Sequence, residues 1–208
     1  MFTSTTRIVA AFAFLILAGA ASAAPTYFTN RADFQAAVTG GLLLESFESP
    51  APYDGTHSYA GFSVSETGGI NGITNYLANS SYVNPVTNGT NAIWFDDNDN
   101  SIGTFFNFSS GGVYAFGLDI TTDMDSTVTI GGGAVGSSVV LAAQQSQFWG
   151  VIDTTAISSI TFDPSGGPNI GFDFVQYQTQ SSQVPEPGTL ALLGLCLAGL
   201  AAGYRRKH

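Results

Sequence analysis

Tyr114-Ala115-Phe116-Gly117-Leu118-Asp119-Ile120-Thr121 alternates without a slip. Tyr114, Phe116, Leu118 and Ile120 fall on one face, and Ala115, Gly117, Asp119 and Thr121 on the other. That is the period of a strand with one face on a core. The same period recurs on both sides. Upstream it marks Leu42 to Phe47, Phe62 to Ser65, Ile93 to Phe95 and the aromatic-rich Thr104 to Phe108. Downstream it marks Thr127 to Ile130, Val139 to Leu141, Phe148 to Ile152, Ser158 to Phe162 and Ile170 to Tyr177. Gly, Pro, Asn and Asp fill the breaks, so the pattern predicts an all-β sandwich of roughly ten strands. No long amphipathic helix separates the strands, which argues against a parallel α/β sheet.

One short helix is expected before the first of these strands. Asn30 is its N-cap, Asp33 stands at N3, Phe34 and Val38 share a face, and Gly40-Gly41 stops it. Its expected place is over one end of the sheets. Gly131-Gly132-Gly133 leads into a strand and reads as a turn, not a phosphate loop. Residues 55–90 are rich in Asn, Ser, Thr, Gly and Tyr and read as long loops joining short strands.

The two ends differ from this body. Arg7, the apolar run Ile8 to Ala20, and Ala21-Ser22-Ala23 form a signal peptide over residues 1–23, cut by signal peptidase before Ala24. The apolar core is too short to favour an uncleaved anchor. The sandwich is expected over 24–177 and a polar linker over 178–183. Val184-Pro185-Glu186-Pro187 follows, then an apolar helix over 188–204, then the basic tail 205–208. Pro187 to Tyr204 is just long enough to span a membrane once. Arg205, Arg206 and Lys207 stay cytoplasmic by the positive-inside tendency, which puts the body on the periplasmic side of the inner membrane. Two prolines remove two N–H donors, so Glu186 is held in an extended, accessible segment as a recognition feature.

Charge and cysteine usage exclude several functions. Between Ala24 and Gln183 Arg31 is the only Lys or Arg, against fourteen acids, a formal charge of 1 − 14 = −13. Such a body repels nucleic acid and anionic lipid, both of which need clustered Lys and Arg. The single cysteine, Cys196, lies in the C-terminal apolar run, so the body has neither a disulfide framework nor a thiolate metal site.

Asp96, Asp97 and Asp99, within Asp96-Asp97-Asn98-Asp99-Asn100, supply the hard oxygen ligands that calcium takes. They do not form an EF-hand, because position six is Ser101 and position twelve is Asn107. Asp119, Asp123 and Asp125 are a second such cluster at a strand end. A solvated turn explains either cluster equally, since Asp and Asn form turns on their own. His57, the one histidine of the body, is read as an exposed loop residue. No Gly-x-Ser-x-Gly elbow accompanies it. Glu45, Glu48 and Glu66 are the candidates for a glycosidase pair, which spacing alone does not establish. Trp149 reads as core; Tyr53, Tyr59, Tyr76 and Tyr82 read as surface aromatics able to stack on sugars.

Val184-Pro185-Glu186-Pro187, the apolar run and the terminal basic cluster, in that order, resemble the PEP-CTERM sorting domain, also named an ice-binding-protein C-terminal domain. The resemblance covers about 25 residues. It implies recognition by an exosortase, a membrane-embedded cysteine protease-transpeptidase of bacteria that make exopolysaccharide. Processing near Pro185-Glu186-Pro187 would follow, delivering the body to the cell surface or extracellular matrix.

The body is similar to sandwich domains found ahead of such tails. The stretches that carry this are Phe28 to Phe34, Glu45-Ser46-Phe47-Glu48, Tyr114 to Ile120, Phe148 to Ile152 and Gly171 to Tyr177. Those domains resemble jelly-roll carbohydrate-binding modules. They usually carry Asp-Asn where this chain has Asp173-Phe174. The resulting expectation is a non-catalytic binder of exopolysaccharide or another glycan, aided by calcium. The alternatives are a self-associating, adhesive matrix unit and a secreted hydrolase.

Overall fold

The computed structural model describes residues 23–48, 56–66, 74–77, 86–95, 103–109 and 111–179. The signal peptide up to residue 22, Asp96, Asp97 and Asp99, the sorting motif Val184 to Pro187, the membrane helix and the basic cluster lie outside them. Among the described residues no helix is long and apolar enough to cross a membrane.

The elements run β1 (Thr26–Phe28), α1 (Arg31–Ala37), β2 (Leu43–Glu45), β3 (Thr56–Ser58), β4 (Phe62–Glu66), β5 (Thr74–Leu77), β6 (Asn91–Phe95) and β7 (Thr104–Phe108). They continue with β8 (Val113–Thr122), β9 (Ser126–Gly132), β10 (Val135–Leu141), β11 (Gln147–Ile157), β12 (Ser159–Pro164) and β13 (Ile170–Gln178). They form two antiparallel sheets. One has the order β1-β11-β8-β13-β6-β5, with β2 also paired to β13; the other has the order β10-β9-β12-β7-β4-β3. The all-β sandwich read from the alternation is the architecture observed.

From Ala115 onward the alternation in β8 does what the sequence pattern requires, whereas Tyr114, expected on the core face, is only partly buried and Val113 joins the core instead. Phe116, Leu118 and Ile120 are fully buried between the sheets, and Ala115, Gly117, Asp119 and Thr121 point to the far side of the seven-stranded sheet. Phe106 of β7 sits at the aromatic centre of the core. Its ring is 5.3 Å from Phe116, 5.3 Å from Phe172, 5.5 Å from Phe162 and 5.7 Å from Phe62. Such offset contacts add about 0.5–1.5 kcal/mol per pair beyond area burial. Trp149 belongs to this core, edge-on to Phe162 at 5.7 Å, as the sequence suggested.

The β9–β10 hairpin confirms the glycine turn: Gly132 stands at φ 137 and Gly133, first of its two loop residues, at φ 59, values that favour glycine.

Helix α1 forms as expected at its start. Asn30 Oδ1 accepts from the N–H groups of Ala32 (2.8 Å) and Asp33 (3.2 Å). Its end and its place differ from the expectation. It stops at Ala37, because Val38 turns extended (φ −76, ψ 117) and buries beside Phe34; Gly40-Gly41 come later. It also packs on the outer face of the seven-stranded sheet, not over an end. The reason is a pair of cross-strand glycines, Gly117 and Gly150. A Cβ on Gly150 would stand 3.0 Å from the Phe34 ring, and one on Gly117 3.3 Å from it. Two missing side chains thus make the seat into which Phe34 drops, bordered by Phe28 at 5.7 Å and Phe148 at 5.5 Å.

Candidate functional site

The same outer face holds the charged centre of the body. Strand register sets Asp119 of β8 against Asp173 of β13. Two neighbouring carboxylates in such a place require a counter-charge and donors. Both come from elements laid over the sheet. Arg31, at the start of α1, reaches Asp119 with its Nη2 at 2.5 Å from Oδ1. Its Nη1 donates to the Phe174 carbonyl (3.3 Å) and to Gln176 Oε1 (3.4 Å). The guanidinium lies 3.7 Å over the Phe174 ring and 4.8 Å from that of Phe148. Gln35 Nε2 also donates to Gln176 Oε1, at 3.2 Å.

Thr87 closes the arrangement. Its hydroxyl donates to Asp119 Oδ2 and lies 3.3 Å from Asp173 Oδ2. The N–H groups of Thr87 and Asn88 donate to Asp173 Oδ2, each at 2.6 Å, and the Phe174 N–H to Oδ1 at 2.6 Å. Burial pushes the Asp173 carboxyl above its ordinary range, against these donors, which pull it down. Burial lowers the Arg31 guanidinium, with the Asp119 charge opposing.

Phe174 owes its position to a bulge. The β8–β13 register shifts between Asp173 and Gln176, and Phe174 stands at φ 50. This left-handed region favours Asn or Gly over an aromatic residue. The Asn expected at this place from the resemblance would therefore have a backbone reason. Phe174 instead supplies the aromatic face beneath the only cation of the body.

A second carboxylate fixes the other end of the same loop. Glu48 accepts from Thr90 N–H (2.9 Å), Thr90 Oγ1 (2.7 Å) and Asn91 N–H (3.2 Å). The hydroxyl and then the amides of this turn hold its carboxyl below the ordinary range. Gly89, at φ 78, leaves no room for a side chain, since a Cβ would collide with the Glu48 carboxylate. The loop 86–90 is thus tied at one end to Asp173 and at the other to Glu48. The surface beside it consists of the partly buried Arg31 and Phe174 and the exposed Gln35, laid over the buried Gln176.

The remaining candidate residues are dispersed. Asp123 accepts from the N–H (2.9 Å) and side-chain amide (2.8 Å) of Asn169, and burial pushes its carboxyl up. Asp125 accepts from Ala143 N–H at 2.8 Å. Asp119 is with Arg31, so this cluster of the sequence is three separate acceptors in the fold. Among the described residues no three His, Cys, Asp or Glu side chains gather as a metal site. Glu45 accepts from Phe47 N–H at 2.8 Å, while Glu48 holds its loop; the Glu66 side chain lies outside the described residues.

His57 is not an exposed loop residue: it is 5 % exposed, within β3 and opposite Val64 of β4. Tyr59 is not a free surface aromatic either. Its ring packs 5.1 Å from both Phe47 and Phe62, and burial raises its hydroxyl pKa. Its neighbours are core aromatics because the chain between β3 and β4 is too short to hold it away from them. Tyr53, Tyr82 and the Tyr76 side chain lie outside the described residues. Trp94 alternates with the core residues Ile93 and Phe95, so it lies on the outer face opposite Gly171, and it is buried there.

The pairing of Asp119 with Asp173 and Arg31 was not read from the sequence. Its one signal was an isolated arginine in a body of fourteen acids.

Comparison with known proteins identifies the tail. Residues 183–207 match the PEP-CTERM protein-sorting motif. No curated protein matches the chain. Among solved structures, the chain is similar to the CBM22-1 and GH10 modules of a Clostridium thermocellum endo-1,4-β-D-xylanase complexed with xylohexaose. The identity is 14% over 65% of this chain and 28% of that one, with a TM-score of 0.43. It is also similar to a family 6 carbohydrate-binding module of Clostridium stercorarium in complex with cellobiose (13% identity, 66% and 94% coverage, TM-score 0.35). A third is the CBM22-1 xylan-binding domain of a Paenibacillus barcinonensis protein (14% identity, 68% and 96% coverage, TM-score 0.37). The chain thus spans little more than a quarter of the xylanase structure. What those proteins bind is said of them alone. This chain is a β-sandwich protein that carries a PEP-CTERM protein-sorting motif at its C-terminal end.

Proposed function

We propose that this chain is an exported cell-surface or matrix protein, handled by an exosortase, whose sandwich is a non-catalytic module binding exopolysaccharide or another glycan. The observation that carries the reading is the sorting motif at 183–207, which follows directly on a sandwich ending at Gln178. Signal peptidase removes residues 1–23, the apolar helix 188–204 holds the body on the periplasmic side, and the exosortase then cuts near Pro185-Glu186-Pro187. The non-catalytic part is supported by how the described acids are used. Asp119, Asp173, Glu45 and Glu48 each accept a bond that shapes the fold. The recognition surface we assign is the Arg31, Gln35 and Phe174 patch with the loop 86–90. Calcium at Asp96, Asp97 and Asp99 is part of the same proposal, because these acids directly follow β6, the strand into which that loop leads.

The ligand is tested on a glycan array with and without calcium. Binding that weakens at least tenfold in Phe174→Ala supports the reading; no binding in either condition removes it. Hydrolysis that falls in His57→Ala, or on replacing Glu45, Glu48 and Glu66 by Ala, would return the hydrolase alternative. The sorting step is tested by replacing Pro185, Glu186 and Pro187 with alanine. Full-length protein should then accumulate in the membrane, and processing equal to wild type refutes the exosortase.

A further inference from the structure

Among the described residues five strands have a single neighbour, and they are not alike. β1, β2 and β3 have three residues each, β5 has four, and β10 has seven. An edge strand presents unpaired N–H and C=O groups, which proteins usually blunt with short length, charge, proline or a bulge. β10, Val-Gly-Ser-Ser-Val-Val-Leu, has none of these, and its pairing with β9 runs in register from Val135 to Leu141.

The direction of its free groups follows from the hairpin. With a two-residue loop, Val135 and Gly132 form a hydrogen-bonded pair, so the N–H and C=O of Gly136, Ser138 and Val140 point away from β9. Gly136 obeys this: its N–H donates outward to Tyr27 Oη at 2.8 Å. Among the described residues no strand pairs with the other two. Val140 is 74% exposed, the most exposed large apolar residue described.

Charge selects the occupant. From Ser126 to Ile152 the chain has no Asp, Glu, Lys or Arg, although the body carries a formal −13. Two copies repel one another wherever their acids meet within a Debye length of about 10 Å at 0.1 M salt. The β9–β10 hairpin contributes no charge to such a contact.

We propose that a second copy of this chain pairs antiparallel with β10, Ser138 of each copy lying opposite Val140 of the other. The contact is a two-fold one centred on Val139, the isologous arrangement of most dimers. This register uses the free groups of Ser138 and Val140 and leaves the Gly136 N–H on Tyr27. It joins the two six-stranded sheets into one. It holds whether or not the sandwich takes a glycan, and it gives a sorted protein a means of linking to its own kind.

The test uses the full-length chain in membranes, with Cys196→Ser to remove the native thiol. Ser138→Cys and Val140→Cys chains, carrying different tags, are co-produced and mildly oxidised. Opposed residues of an antiparallel pair are about 5.5 Å apart at Cα, within disulfide reach, whereas diagonal ones at about 7–8 Å are not. Mixed-tag dimers should therefore exceed the dimers of either variant alone by at least tenfold. Adding Val140→Lys to the Ser138→Cys chain, with the partner thiol moved to bis-maleimide reach at Gly136→Cys, should abolish cross-linking without lowering the unfolding midpoint. Thr129→Cys, on the solvent face of β9, should give no dimer. Cross-linking of Ser138→Cys no greater than that of Thr129→Cys overturns the proposal. So does cross-linking to a different protein, or to the chain's own tail.

Discussion

The outer face of the seven-stranded sheet and the free edge of the six-stranded sheet are opposites. The first is roofed by α1 and the loop 86–90, and buries two acids around one arginine. The second is uncharged and bare, with Val140 in solvent. Both belong to one acidic chain with one basic residue in its body. Where carboxylates are enclosed, every one has a specific donor, because an unpartnered buried charge is untenable. Along the open edge strand β10, by contrast, there is no charged side chain. The difference teaches that the acids of this protein are not merely a solubilising coat: several hold the fold, and their absence marks a distinct surface.

The comparison is broken most severely by removing the roof. Phe34→Ala should destabilise the protein by about 3–5 kcal/mol, the usual cost of emptying a fully enclosed aromatic site. Urea unfolding followed by the fluorescence of Trp94 and Trp149 measures it, and a loss under 1 kcal/mol would mean that α1 is not seated on Gly117 and Gly150.

Arg31→Met comes next, at about 3 kcal/mol at neutral pH, since it strands buried carboxylates without their cation. The sign of its pH dependence follows from the loss of the cation that faces Asp173, which raises further a carboxyl that burial already raises. A carboxyl whose folded pKa is raised disfavours the folded state above its unfolded value, and the strain is relieved as pH falls through the raised folded pKa. The gap between Arg31→Met and wild type should therefore narrow as the medium is acidified from pH 7 towards the ordinary Asp value of about 3.9. A gap that stays constant with pH would show that packing of the arginine, not charge, is what was lost.

Smaller effects sharpen the contrast. Phe174→Ala keeps the left-handed backbone and loses the ring under Arg31, for about 1 kcal/mol. Phe174→Asn should be closer to wild type, because Asn tolerates that backbone; the ranking of the two by thermal midpoint is the readout. At the other pole, Val140→Lys should shift stability by no more than about 0.5 kcal/mol, as expected for an exposed site. A larger loss that does not depend on protein concentration would place Val140 inside a contact within the monomer.

How far the sequence could be read follows from the same contrast. Strands buried between two neighbours, such as β8 and β12, show clear alternation, because one face meets a core and the other a solvated or covered layer. The strands that the pattern missed are β1, β3 and β5, all at sheet edges. An edge strand is short and half-bonded, so nothing forces its residues into a period of two. β10 was read only from Val139, because its earlier Gly136 and Ser138 lie on the bare side. His57 and Tyr59 escape the pattern for a related reason: their segment is polar enough to read as loop, yet its pairing with β4 folds both side chains inward.

The sequence by itself determined the sandwich class, the helix cap at Asn30, the glycine turn and the address written after Val184. Each is local: a period, a capping side chain, a left-handed residue or a short ordered motif. Only the tertiary structure decided that Asp119 meets Asp173, that Arg31 lies on Phe174, and that β10 is left open. Those facts depend on which strands become neighbours and in what register, and contacts of that kind join residues more than fifty positions apart.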